Sequence, residues 1–162
     1  DRLEAYGNAG RRALGAGITF PSSAIRTGLM VPPPQRYLSA HRHGPGVTII
    51  GVTEGDGFAV MYPEGGEKVR CPWTEASVFV PPNNRYHQHV SSGSVENRQL
   101  RVFPPRALMN YGAGMSKDMP FIERDPWVLQ QFEEALAKNG LTSMMPVQIY
   151  TDSDVEWDEG SE

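Results

Sequence analysis

All four histidines of the chain fall into two pairs with a single residue between the members, His41-Arg42-His43 and His87-Gln88-His89. In a β-strand, side chains at i and i+2 leave from the same face. Each pair can therefore aim two imidazoles to one side of a sheet, and a fold that turns both strands toward one interior gathers all four. Imidazole is a common ligand of Fe, Zn, Ni and Cu. A single histidine held by a hydrogen bond in a core is an ordinary structural residue, but two matching pairs in strand-like segments point to a metal site. His41, His43, His87 and His89 are the candidate ligands.

The rest of the chain suits such a fold. It has 162 residues, enough for one domain, and carries 17 Gly and 14 Pro. Punctuation that dense favours many short strands joined by turns. Strands are expected over residues 24–31, 37–43, 47–53, 58–62, 68–72, 76–81, 86–90 and 98–103. Gly55-Asp56-Gly57 reads as a tight turn closing a hairpin between the third and fourth of these, since Gly tolerates positive φ. Close, regular spacing of short strands describes a barrel or sandwich.

Beyond the strands, Asp125 reads as an N-cap, Pro126 as the first helical residue and Gly140 as the C-terminal stop. Val128, Leu129, Phe132, Ala135 and Leu136 recur at helical spacing between them. The organisation expected is an arm at 1–24, a barrel at 25–110, a helix and extended segment packed on it at 111–150, and an acidic tail at 151–162. Residues 141–150 are expected to be extended, clasping the barrel or a second subunit.

Charge excludes one class of partner. The net charge is −4, and six acids with no Lys or Arg lie from Asp152 onward. The remainder is close to neutral and has no basic stripe, so nucleic acid is not an expected partner. No apolar run is long enough to span a membrane and no apolar leader is visible, so a membrane is not expected either. Cys71 is the single cysteine and reads as a structural residue, which fits a reducing, cytoplasmic location.

The stretch from Ala40-His41-Arg42-His43 to Gly55-Asp56-Gly57 resembles the first cupin motif, a His-x-His strand followed by a Gly-rich turn. Val80-Pro81-Pro82-Asn83-Asn84-Arg85-Tyr86-His87 resembles the second, Pro-x-Gly-x-x-His, with Asn84 where Gly is usual. Asn also adopts left-handed backbone angles, so the turn survives. The resemblance covers roughly residues 28–105 and implies an all-β cupin jelly-roll barrel, here with a C-terminal amphipathic helix. It implies one divalent transition metal held by His41, His43 and His87. The carboxylate ligand of many cupins would fall at Thr48, so the site is expected to consist of histidines alone. Among cupins this is similar to three-histidine iron dioxygenases, and Fe(II) is the expected metal, with Zn, Mn, Ni or Cu as alternatives. Cupins also include lyases, isomerases and non-catalytic binders.

Some residues carry a second reading. Arg42 and Gln88 should face away from the site. Gln99 and Arg101 share a face of the last barrel strand. Arg101 is an ordinary surface charge if that face is outside, and the candidate partner of a substrate carboxylate if it is inside. Tyr62 is the candidate acid/base or hydrogen-bonding residue, and Tyr37 is a second tyrosine that would line the cavity. Met30, Met61 and Met109 read as core, and Trp73 and Trp127 as packing anchors. The expected function is metal-dependent chemistry, most simply iron oxygenation, on a small anionic organic substrate. Metal-dependent lyase or isomerase chemistry, or binding alone, are the alternatives. A homodimer is the expected assembly.

Overall fold

The computed structural model describes residues 4–6, 13–44, 46–105, 107, 117–119 and 125–146. Its strands are β1 (Glu4–Tyr6), β2 (Ala13–Ile18), β3 (Arg26–Val31), β4 (Arg36–Tyr37), β5 (His41–Arg42), β6 (Thr48–Gly51), β7 (Gly57–Tyr62), β8 (Val69–Trp73), β9 (Val78–Phe79), β10 (Tyr86–Ser91), β11 (Gln99–Phe103) and β12 (Lys117–Asp118), followed by helix α1 (Pro126–Lys138). They form two antiparallel sheets, β1-β2-β3-β11-β6-β9 and β12-β5-β10-β7-β8, with β4 also paired to β10. The fold is an all-β barrel of the kind the strand spacing predicts, the jelly roll that the cupin resemblance implies, with the expected C-terminal amphipathic helix.

Three local expectations change. First, β6 pairs with β11 and β9, whereas β7 pairs with β8 and β10. The Gly55-Asp56-Gly57 turn therefore carries the chain from one sheet to the other and closes no hairpin. Gly57 is required there by close approach: a β-carbon on it would fall 2.2 Å from the Val90 carbonyl and 2.6 Å from the Trp73 ring.

Second, the expected strand at 37–43 is broken. Tyr37 pairs with Val90 and His41 with His87, so four steps on one strand match three on the other. This is the count of a β-bulge, whose extra residue reverses the facing of the residues after it. Tyr37 and His41 thus face opposite sides despite having the same parity. Third, Ala13–Ile18, for which sequence patterning predicts no element, is a strand that pairs with β3 from Leu14 to Ile18.

The outer face of the second sheet is covered by α1. Val128, Phe132, Ala135 and Leu136 pack on Tyr37, Phe58, Val60 and Val90, with Met145 completing the cluster. The Tyr37 ring meets Phe132 edge-on at 5.1 Å. The helix has the expected boundaries. Asp125 caps it, accepting from the Trp127 and Val128 amides at 2.9 and 3.4 Å. At the other end Gly140 has φ +68°, and the Gly140 and Leu141 amides donate to Ala137 and Leu136, a Schellman closure. Beyond it the chain returns to the barrel: the Met144 amide donates to the Gln35 carbonyl and the Tyr37 amide to the Met145 sulfur. Residues 147–150, Met109 and the acidic tail lie outside the described residues.

Candidate metal centre

His41 and His87 are partners in the β5–β10 ladder. His43 follows β5 by one residue. The three ring pairs have centroid distances of 4.2 Å (His41 and His87), 4.6 Å (His43 and His87) and 5.6 Å (His41 and His43). One ring nitrogen from each lies within 4.8 Å of the other two, a grouping that fits one ion. The turn before β10 helps to set this up: Asn84 adopts φ +56°, so it performs the role of the usual Gly, and its amide donates to the His43 carbonyl at 3.4 Å.

The donor set fits a metal for a further reason. Each Nδ1 lies near a backbone carbonyl: His43 near Gly44 at 2.9 Å, His87 near Arg85 at 3.3 Å and His41 near Ser39 at 3.5 Å. A carbonyl only accepts, so a hydrogen bond there would place the proton on Nδ1 and leave the Nε2 lone pair for an ion. Such outer hydrogen bonds fix tautomer and ring direction at metal sites.

His89 shares the inner face of β10 and is 2% exposed, yet it stands apart. Its ring is 5.9 Å from His87 and 6.1 Å from His41, and it packs against Trp73 at 5.8 Å and Phe79 at 6.0 Å. The three-histidine group therefore excludes it, and the position places it in the wall of the same cavity.

That cavity has a volume of about 320 Å³ and is lined by all four histidines, by Val47, Ile49, Arg101 and Phe103, and by residues of β2 and β3. Val47 and Ile49 occupy the inward positions of their segment, both 1% exposed, whereas Thr48 lies between them on the other face. Thr48, where the cupin resemblance puts the carboxylate ligand, thus faces away from the cavity. Among the described residues no carboxylate joins the cluster.

Arg101 is 6% exposed and lines the cavity, so its face of β11 is the inner one. Its guanidinium lies 5.3 Å from the Phe103 ring centroid, and Arg26 stands at the same distance from that ring. Arg26 also lines the cavity. It is the functional candidate that motif reading passes over, although its spacing from Gly28 and Met30 in the expected strand at 24–31 assigns it to their face.

Tyr62 does not reach the site. It lies on the outer face of β7 with Phe58 and Val60, stacks with Tyr86 at 5.6 Å and donates to the Met119 sulfur at 3.7 Å. Burial first, then the nearby Asp125 charge and Tyr86, push its phenol up to about 12. Tyr37 is likewise carried to the outer cluster by the bulge. Arg42 and Gln88 face away as expected, Arg42 pairing with Glu64 at 2.9 Å and Gln88 standing beside Val60 in the ladder. Met30 and Met61 are core residues, and Trp73 packs with Ala59 and Met61. No described helix is long and apolar enough to cross a membrane.

No family model and no curated relative matches the chain. Solved structures do. A cupin 2 conserved barrel domain protein from Salinispora arenicola superposes with TM-score 0.53 at 17% identity, over 67% of this chain and 86% of that one. The oxalate decarboxylase of Lactobacillus farciminis superposes with TM-score 0.56 at 13% identity, over 80% of this chain and 38% of that one. The salicylate 1,2-dioxygenase of Pseudaminobacter salicylatoxidans gives TM-score 0.50 at 14% identity, over 65% and 30%. At these identities the likeness is one of fold, and this chain spans well under half of the two enzymes. The chain thus shares the barrel fold of these cupin structures, and its three gathered imidazoles form a group that could hold one metal ion.

Proposed function

We propose that the chain is a metal-dependent cupin enzyme, a non-haem iron dioxygenase of a small anionic organic substrate. The observation that carries this reading is the cluster of His41, His43 and His87 in one cavity, which Arg26 and Arg101 also line. A neutral three-imidazole set leaves the charge of a divalent ion undiminished. Fe(II) held there would supply redox chemistry with O₂, whereas Zn, Mn, Ni or Cu would fit the same donors.

The protein's own part is positioning. His41, His43 and His87 would hold the ion. Arg101 offers a planar pair of donors to a carboxylate, fixing which end of the substrate faces the histidines. Val47, Ile49 and Phe103 supply apolar walls that displace water and strengthen these charge interactions. The names of the two enzymes of like fold, an oxalate decarboxylase and a salicylate dioxygenase, each specify a carboxylate, which accords with this reading.

His89 favours a second reading. A buried imidazole in the cavity wall but outside the cluster is suited to receive or give a proton, as a redox-free lyase or isomerase would require. We also propose a homodimer acting in a cytoplasmic setting.

O₂ uptake by iron-loaded protein, across a panel of small carboxylates and diketones, tests the primary reading. Substrate-dependent uptake that is lost in His87→Ala supports it. Turnover with zinc or manganese and without O₂ replaces it by the lyase or isomerase reading. Tight ligand binding with no turnover under any metal leaves a binding module.

A further inference from the structure

The inner face of the first sheet has an opening beside Arg101. In the ladders, Gly17 stands opposite Gly28, Gly28 opposite Arg101, and Arg101 opposite Ile49. One cross-strand row therefore reads Gly-Gly-Arg-Ile, and all four members line the cavity. Two adjacent strands without side chains leave bare backbone about 10 Å wide at ~4.8 Å per strand. A β-carbon built on Gly17 would meet nothing within 4 Å, and its φ lies outside the left-handed region. Neither sterics nor backbone conformation thus requires glycine there. A β-carbon on Gly28 would meet the Phe103 ring at 3.8 Å and the Ala16 carbonyl at 3.3 Å. Phe103 borders the same opening, with the Arg26 and Arg101 guanidiniums each 5.3 Å from its ring centroid.

We propose that Gly17 and Gly28 form the floor of a subsite beside Arg101, and that Gly17 sets how long a carboxylate-bearing ligand the cavity accepts. The inference rests on the reading of the cavity as the site of an organic anion, and it specifies the ligand's shape. The carboxylate meets Arg101, and an apolar body lies over the two glycines against Phe103. A flat or unbranched apolar body suits a floor of extended backbone. Strand β2 is in this way a wall of the binding site as well as part of the barrel.

The test compares two probes, formate and phenylacetate, by calorimetric or ligand-observed NMR titration of the full chain. Wild type is expected to bind phenylacetate at least tenfold more tightly than formate. Gly17→Leu should abolish that preference and leave formate affinity unchanged, Gly17→Ala should fall between, and Arg101→Gln should weaken both probes. Circular dichroism and Tm report folding; if Gly17→Leu fails to fold, Gly17→Ala alone decides by losing or keeping part of the preference. A wild type without preference, or a folded Gly17 variant that keeps all of it, overturns the proposal. Metal content, measured on the same samples, separates the two ideas. Preference without metal defeats the enzyme reading and leaves the subsite. Metal without preference defeats the subsite and leaves the enzyme reading.

Discussion

His41 and His87 stand directly opposite one another across the β5–β10 ladder, with ring centroids 4.2 Å apart. A register pair at that spacing brings two imidazoles together before any loop contributes, and His43 completes the group from the residue after β5. Because the Nδ1 atoms of all three lie near carbonyls, metal-free protein should hold these rings as the Nδ1–H tautomer. Long-range ¹⁵N–¹H correlation of the imidazoles measures this. Added Zn²⁺ should then shift the Nε2 resonances of His41, His43 and His87 but not that of His89. Nε2–H tautomers in the metal-free protein would contradict the assignment.

Tyr62 offers a control on the opposite face. Tyr62→Phe should leave metal content unchanged, since the phenol packs outside the cavity. Its phenol is pushed up to about 12, above the ordinary value near 10 of an unfolded chain. The folded state then holds the proton more tightly, so this contribution to stability is complete below pH ~10 and is lost as pH rises toward 12. Denaturation midpoints of wild type should fall more steeply across that window than those of Tyr62→Phe. Identical slopes would refute the buried environment of the phenol.

The helix is a stability element separable from the site. Phe132 is fully buried between α1 and the second sheet. Phe132→Ala should cost about 3–5 kcal/mol of folding stability by loss of burial and the cavity left behind. Urea denaturation measures it. Folded Phe132→Ala should bind metal at the wild-type stoichiometry, and a folded variant without metal would show that α1 supports the histidines.

Much of the fold was legible because periodicity and punctuation act locally. The His-x-His pairs, the left-handed Asn84 and the capped helix from Asp125 to Gly140 all follow from one or a few neighbouring residues. What escaped depends on which face of a strand turns inward. β7 is apolar on both sides, so alternation cannot tell Ala59 and Met61, which face the interior, from Phe58, Val60 and Tyr62, which meet the helix cluster. The bulge between β4 and β5 displaces Tyr37 from the cavity, and its cause is pairing with β10, a strand distant in sequence. Arg101 was ambiguous for the same reason, and Gly17 lies in a strand whose pattern is mostly glycine and alanine.

The proposed homodimer would use one outer row of the first sheet. Ala16, Leu29, Leu100, Ile50 and Val78 succeed one another across five strands of the first sheet, and Val78 is 61% exposed. We propose that a second copy covers this row. Light scattering should then give twice the 17.9 kDa chain mass, reduced to one chain by Val78→Lys with Leu100→Lys. A monomeric wild type would contradict the assembly.

The central claim is the three-histidine site, and metal content of protein purified without oxygen tests it most directly. Wild type and His89→Ala should each carry about one divalent transition metal ion per chain, iron on the proposed reading, and His87→Ala should carry none. Absence of metal from wild type, even after Fe, Mn, Ni or Zn is added back, or full retention by His87→Ala, would contradict the account.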